Sequence, residues 1–251
     1  MLQNKKELGQ NWLKNREILD TIAGLAADGA GNVKMCLEIG PGLGTLTAAL
    51  LRRFDRVVAV EYDADLARKL PGSFPGKNLE VVNEDFLKFD LERLEKPYVV
   101  AANIPYYITS PIIEKLLTAA NAPERIVLLV QKEVAERIVS ERETILSLTV
   151  KNRADVELGP VVPAREFTPP PKVDSQVIVL KPHAPMVVDE VLALARKGFA
   201  APRKKVTRNL AVLLPRDEVK DIFIASNINI DVRPGELHLE DWQKIYNKMF
   251  K

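Results

Sequence analysis

Over its first 130 residues the chain alternates short β-branched or apolar runs with stretches of helical period. The runs Met35–Ile39, Val57–Glu61, Leu79–Asn83, Val99–Asn103 and Ile126–Gln131 predict strands. Between them, Thr45–Arg53 follows a Gly-rich turn and Ala64–Leu70 follows Asp63, which can cap it. Ser110–Ala120 opens with Ser110 as N-cap and Pro111 at the first helical position. Strands running in one direction need a crossover connection, so this alternation builds βαβ units and a mostly parallel sheet with both faces covered. Such strands are apolar at every position rather than at alternate ones, as Ile126-Val127-Leu128-Leu129-Val130 is. The fold class is therefore α/β, of the Rossmann-like kind.

After the prolines at 169–171 the pattern changes. Val173–Leu180 predicts a late strand that closes the sheet, and beyond it Val187–Phe199, Val206–Leu214, Glu218–Ala225 and Leu239–Phe250 show helical periods only. Residues 1–181 and 182–251 are thus expected to form an α/β domain and a small all-helical domain, and 251 residues suffice for two cores. The formal charge of +2 hides an asymmetry, because residues 182–251 hold 12 basic against 9 acidic side chains. Six of those 12 lie between Arg196 and Arg208 with no acid among them, a local patch suited to nucleic acid. The single cysteine, Cys36, cannot form an internal disulfide and sits in the apolar run Met35-Cys36-Leu37, which fits a buried thiol in a reducing compartment. No run nears the roughly 18 apolar residues of a membrane helix, and the first residues lack the apolar core of a signal peptide. A cytoplasmic protein is expected.

Four features stand where a parallel sheet binds its ligands, at strand ends. Glu38-Ile39-Gly40-Pro41-Gly42-Leu43-Gly44 follows the first strand and precedes a helix. Its GxGxG spacing departs from the GxGxxG of dinucleotide sites, which argues against a dehydrogenase and leaves either a ligand-binding turn or a merely tight one. Glu61, about 20 residues on, ends the second strand; a carboxylate there can accept both hydrogen bonds of a ribose diol, the bland alternative being a solvated strand-end acid. Asp85 ends the third strand, placed either for an exocyclic adenine amine or as a turn cap. Asn103-Ile104-Pro105-Tyr106 follows the fourth strand. An adenine amine is a poor nucleophile because its lone pair is delocalised into the ring. Acceptors on Asn103 and on the Ile104 or Pro105 carbonyl, with Tyr106 stacked on the base, would favour its attack, and the proline fixes the backbone that aims them.

The segments LGQNWL, EIGPGLG, VVAVE, NEDF, NIPYYITSPI, QKEVAERI and FTPPPKVDSQVIVLKP, in this order over nearly the whole chain, resemble the rRNA adenine N6,N6-dimethyltransferase family, in particular its small-subunit, kasugamycin-resistance branch. The resemblance implies a class I S-adenosylmethionine-dependent methyltransferase fold with a helical C-terminal domain. The substrate would be two adjacent adenosines in the 3′-terminal hairpin loop of small-subunit rRNA within a partly assembled 30S subunit. It further implies that S-adenosylmethionine is held by Asn11, Leu13, Gly40, Gly42, Glu61, Asp85 and Asn103, and the target base by Asn103, Ile104, Pro105 and Tyr106. Phe167 of the FTPPP segment is either a further contact to that base or a packing residue at a proline-stiffened turn. Arg203, Lys204, Lys205 and Arg208 match the family's basic segment and would contact rRNA phosphates, the alternative being a solvated helix start; Pro202 departs from the pattern there.

The implied reaction is direct methyl transfer to N6, done twice on each base, with the target adenosine taken out of its stack. It needs neither a metal nor a covalent intermediate, in keeping with two scattered histidines, His183 and His238, and no cluster of ligand spacing. A monomer is expected. Between Ile138 and Leu148 the chain is shorter than the family's usual loop, and Glu7 stands where a basic residue is common, beside Lys5 and Lys6. The rival readings are the macrolide-resistance methylase of large-subunit rRNA, which uses the same chemistry, and a non-catalytic ribosome-assembly factor on the same fold.

Overall fold

The computed structural model describes residues 10–29 and 31–250. In chain order its elements are β1 (Trp12–Leu13), α1 (Arg16–Ala27), β2 (Met35–Ile39), α2 (Thr45–Leu50), β3 (Arg56–Glu61), α3 (Ala64–Lys69), β4 (Leu79–Asn83), β5 (Tyr98–Asn103), α4 (Thr109–Thr118), β6 (Arg125–Gln131), α5 (Lys132–Val139), α6 (Ile145–Arg153), β7 (Ala154–Val162), β8 (Phe167–Thr168), β9 (Ser175–Pro182), α7 (Asp189–Gly198), α8 (Val206–Asn209), α9 (Arg216–Ala225) and α10 (Leu239–Phe250). A seven-stranded sheet runs in the order β4-β3-β2-β5-β6-β9-β7, with β2 to β6 mutually parallel and β9 antiparallel to both its neighbours, β6 and β7. The central strands β2 and β6 are buried almost throughout, so the near-continuous apolar runs reflect cover on both faces. From β2 the chain winds outward through β3 and β4, then crosses to β5 on the other side of β2. That reversal opens a crevice at the carboxyl ends of β2 and β5.

The five sequence-derived strands agree with the structure to within one residue. Three other expectations do not. β9 does not close the sheet: it lies between β6 and β7, and β7 is the edge. β7 carries Gly159-Pro160 and an irregular register between Leu158 and Val161, features that suit an unpaired edge and hide the strand from a periodicity reading. α4 begins at Thr109 with Ile108 at its N-cap, not at Ser110, because a 3-10 turn over Tyr106–Ile108 leads directly into it. Pro111 then falls at the third helical position, where its missing N–H still breaks no intrahelical bond.

The domain boundary also moves. Among the described residues, those through 135 group with 154–182, while 136–153 group with 183–250. The cause is α6: Leu148 is fully buried in a cluster with Val191, Leu210, Phe223, Trp242 and Ile245. α6 also buries Ser147, Thr149 and Asn152, whose polar groups are met locally. Asn152 receives the Val187 N–H at 2.7 Å and donates to the Val187 carbonyl at 3.1 Å. Within the shortened 138–148 segment, the buried Glu143 accepts from Lys151 Nζ at 2.7 Å, from Ser147 Oγ at 2.6 Å and meets His238 Nδ1 at 3.0 Å. No helix among the described residues is long and apolar enough to cross a membrane.

Candidate active site at the carboxyl ends of β2 and β5

A cavity of about 370 Å³ opens at this crevice. The register of β2 with β5, from Met35–Tyr98 to Glu38–Ala101, brings the Gly40 turn level with Asn103. The lining includes Asn11, Leu13, Gly40, Gly42, Glu61, Asp85, Asn103, Ile104, Pro105 and Tyr106, drawn from five segments far apart in sequence.

The glycine turn is bent by necessity. Gly40 has φ +65°, and no atom lies within 4 Å of where a Cβ would stand, so the backbone faces open space that a side chain would fill. Gly44, at φ +81°, has no such room: a Cβ would come within 2.6 Å of Leu70 Cδ1. Glu61 is held rigidly, its Oε2 accepting from the Gly42 N–H at 3.0 Å and its Oε1 from the Asp63 N–H at 2.8 Å. Burial raises its pKa against the pull of those two N–H groups. Asp85 is the turn cap of the two readings weighed for it, Oδ1 accepting from the Leu87 N–H at 2.9 Å, and the residue also lines the cavity.

Asn103 donates from Nδ2 to the Asn11 carbonyl at 3.0 Å, a link across 92 residues. No hydrogen bond among the described residues engages its Oδ1, which remains an acceptor. Asn11 directly precedes β1, whose Trp12 and Leu13 pair with Thr168 and Phe167 of β8. Tyr106 is half-buried and its hydroxyl shares a hydrogen bond of 2.7 Å with Ser175 Oγ on β9, so the ring is fixed at its far end. Burial raises the Tyr106 pKa.

Glu38 was not singled out from sequence, yet it is the most unusual group of the cavity lining. It is 1% exposed and its Oε2 has no hydrogen-bond partner. Burial raises its pKa to about 8, with the Thr47 hydroxyl lowering it by less and the Glu61 charge adding to the rise. The available sign was an acid inside the strand Met35–Ile39, every residue of which is buried.

Phe167 is not among the residues lining the cavity. It is 3% exposed and packs in the core of the first unit with Leu13, Leu19 and Val162, the packing alternative of the two considered. Arg203, Lys204, Lys205 and Arg208 lie in the C-terminal unit, all exposed at the entry to α8, with Lys205 paired to Asp231. Lys5, Lys6 and Glu7 lie outside the described residues. Among the described residues no group of three or more His, Cys, Asp or Glu is arranged to hold a metal ion.

A sequence profile described as ribosomal RNA adenine dimethylase matches residues 1–251. The chain is 40% identical to a protein named ribosomal RNA small subunit methyltransferase A from Nostoc sp., with 98% of both chains covered. It is 39% identical to one of the same name from Acaryochloris marina, with 96% of both covered. Among solved structures, a dimethyladenosine transferase from Plasmodium falciparum is similar at TM-score 0.76 and 29% identity, over 94% of this chain and 98% of that one. The 23S rRNA methyltransferase ErmE is similar at TM-score 0.74 and 26% identity, over 96% and 100%.

Proposed function

The chain belongs to the ribosomal RNA adenine dimethylase family, and from that premise we propose that its cavity holds S-adenosylmethionine beside an unstacked adenine of small-subunit rRNA. The protein is an rRNA adenine dimethyltransferase, and the name shared by its curated relatives supports the small subunit as its substrate. The observation that carries the reading is the meeting of Gly40, Glu61, Asp85 and Asn103 in one cavity, with the Asn103 Oδ1 left to accept.

The residues fit the cofactor. The space in front of Gly40 would admit a ligand against the backbone, Glu61 would receive a ribose diol on the lone pairs that the Gly42 and Asp63 N–H groups leave free, and Asp85 would accept from an adenine amine. The unpartnered Glu38 Oε2 would gain from a donor or a cationic group. When bound, S-adenosylmethionine supplies an electrophilic methyl group on a sulfonium.

At the base end, Asn103 Oδ1 and the Ile104 or Pro105 carbonyl accept hydrogen bonds from the target N6 amine, which draws its lone pair away from the ring and toward attack. Tyr106, tethered to Ser175, stacks on the base and limits its tilt. No side chain there is set as a dedicated base, so positioning and hydrogen-bond acceptance supply most of the rate. Each of two adjacent adenosines receives two methyl groups. The exposed Arg203, Lys204, Lys205 and Arg208 contact rRNA phosphates of a partly assembled 30S subunit, and the enzyme acts as a cytoplasmic monomer.

The test is transfer of labelled methyl groups from S-adenosylmethionine to 30S and 50S subunits from an unmethylated strain, followed by nucleoside analysis. N6,N6-dimethyladenosine at two adjacent 30S sites is expected. Label confined to 50S would move the substrate to the large subunit, and label in neither would leave a binding protein.

A further inference from the structure

Lys115 is a half-buried cation on α4 that none of the four strand-end features includes. Its ammonium spends its hydrogen bonds on one short stretch of backbone, donating to the carbonyls of Phe86 at 2.8 Å, Leu87 at 3.0 Å and Phe89 at 2.5 Å. It also stands 5.2 Å from the centroid of the Phe86 ring. The stretch it grips is the turn begun by Asp85. Asp85 Oδ1 takes the Leu87 N–H, and its backbone carbonyl takes the Lys88 and Phe89 N–H groups at 2.8 and 3.0 Å. Asp85 therefore closes the amino end of the turn, and Lys115 closes its carbonyl end.

Asp85, Phe86 and Leu87 all line the cavity, so the turn forms one of its walls. The Phe86 carbonyl also takes the Phe89 N–H at 3.2 Å, but outside helices and strands carbonyls like those of Leu87 and Phe89 would otherwise be left to water. A three-pronged donor converts such a mobile wall into a fixed one, and α4, which supplies it, grows directly out of the Asn103–Tyr106 segment. Burial lowers the Lys115 pKa, and the negative charges of Asp85, Glu84 and Asp90 around the ammonium offset that only in part.

We propose that Lys115 is a positioning residue for cofactor recognition: by clamping the 86–89 carbonyls it holds the Asp85 carboxylate at the place where the 6-amino group of the cofactor's adenine is read. This rests on the reading of Asp85 given above. Geometric control of one acceptor governs discrimination more than gross affinity, because a misplaced acceptor fails only the ligand that carries the matching donor.

The test compares binding of S-adenosylhomocysteine with binding of its inosine counterpart, which carries a carbonyl in place of the 6-amino group, by titration calorimetry on the full-length protein. Wild type is expected to prefer the adenine form by about tenfold or more, the worth of one satisfied hydrogen bond to a charged group. In Lys115→Met the preference falls to within about threefold through loss of adenine-form affinity, while the inosine form binds as before. Lys115→Arg, which keeps the charge and several donors, recovers part of the preference and serves as the milder variant if Lys115→Met does not fold. Equal weakening of both ligands in the variants, or an intact preference, would overturn the proposal. Absence of any preference in wild type would remove the Asp85 reading itself, and the proposal with it.

Discussion

Glu38→Gln is expected to make the first unit more stable at alkaline pH, although it removes a charged side chain from a strand in the middle of the sheet. Glu38 is 1% exposed and its folded pKa is raised to about 8, against 4.5 without the protein around it. An acid whose pKa rises on folding binds more protons folded than unfolded, so its penalty is absent well below the unfolded pKa and grows as pH rises toward the folded one. At about 1.36 kcal/mol per unit, the penalty is about 2 kcal/mol near pH 6 and about 5 kcal/mol near pH 9. Glutamine keeps the shape and does not titrate. The pH dependence of stability should therefore differ between the two proteins by about 3 kcal/mol over that range, or about 1 M in urea midpoint for a chain of this size. Cys36 is the one cysteine of the chain and is buried two residues from Glu38, so pulsed thiol labelling in urea reads the opening of this unit and not of the other. Wild-type and variant midpoints that run parallel from about pH 6 to pH 9 would refute the argument, since the linkage leaves no other outcome for a buried acid with that pKa.

Gly40→Ala places a methyl group where the structure keeps open space, at a φ of +65° that L-residues adopt at a cost of about 1–2 kcal/mol; calorimetry should show cofactor affinity reduced by about tenfold or more. Gly198→Ala drives a Cβ to within 2.1 Å of Trp242 Cη2, so scanning calorimetry should show the C-terminal unit losing stability while the cofactor constant is unchanged. Joint charge reversal at Arg203, Lys204 and Lys205 should weaken 30S binding and flatten its dependence on log salt by up to about 3, at roughly 0.7–0.9 per phosphate contact. An unaltered salt slope would remove these residues from the RNA interface.

The parallel core was legible because its strands are buried on both faces and so read as unbroken apolar runs; β2 through β6 could be bounded almost to the residue. β7 was not, since an edge strand with Gly159-Pro160 and an irregular register has neither alternation nor a continuous apolar run. α6 was hidden for a different reason: its buried face mixes Leu148 and Val150 with Ser147, Thr149 and Asn152, and polar groups satisfied in the fold look like surface groups in sequence. That one helix is also why the domain boundary moved. At the cavity, strand-end residues were legible from topology alone, whereas Glu38 and Lys115 were not. The importance of each comes from what surrounds it, burial without a partner in one case and three backbone carbonyls in the other. Phe167 shows the converse, a residue whose motif suggested the site and whose side chain packs in the core.

In the proposed reaction Asn103 is the acceptor that readies the target amine, and single-turnover methyl transfer to 30S subunits by Asn103→Ala measures that directly. The cofactor is held at saturation, so that loss of the Asn11 contact does not enter the rate. A fall of about 100-fold or more is expected, the usual cost of removing one preorganised hydrogen-bonding group from a transition state. A rate within a few-fold of wild type would contradict the account.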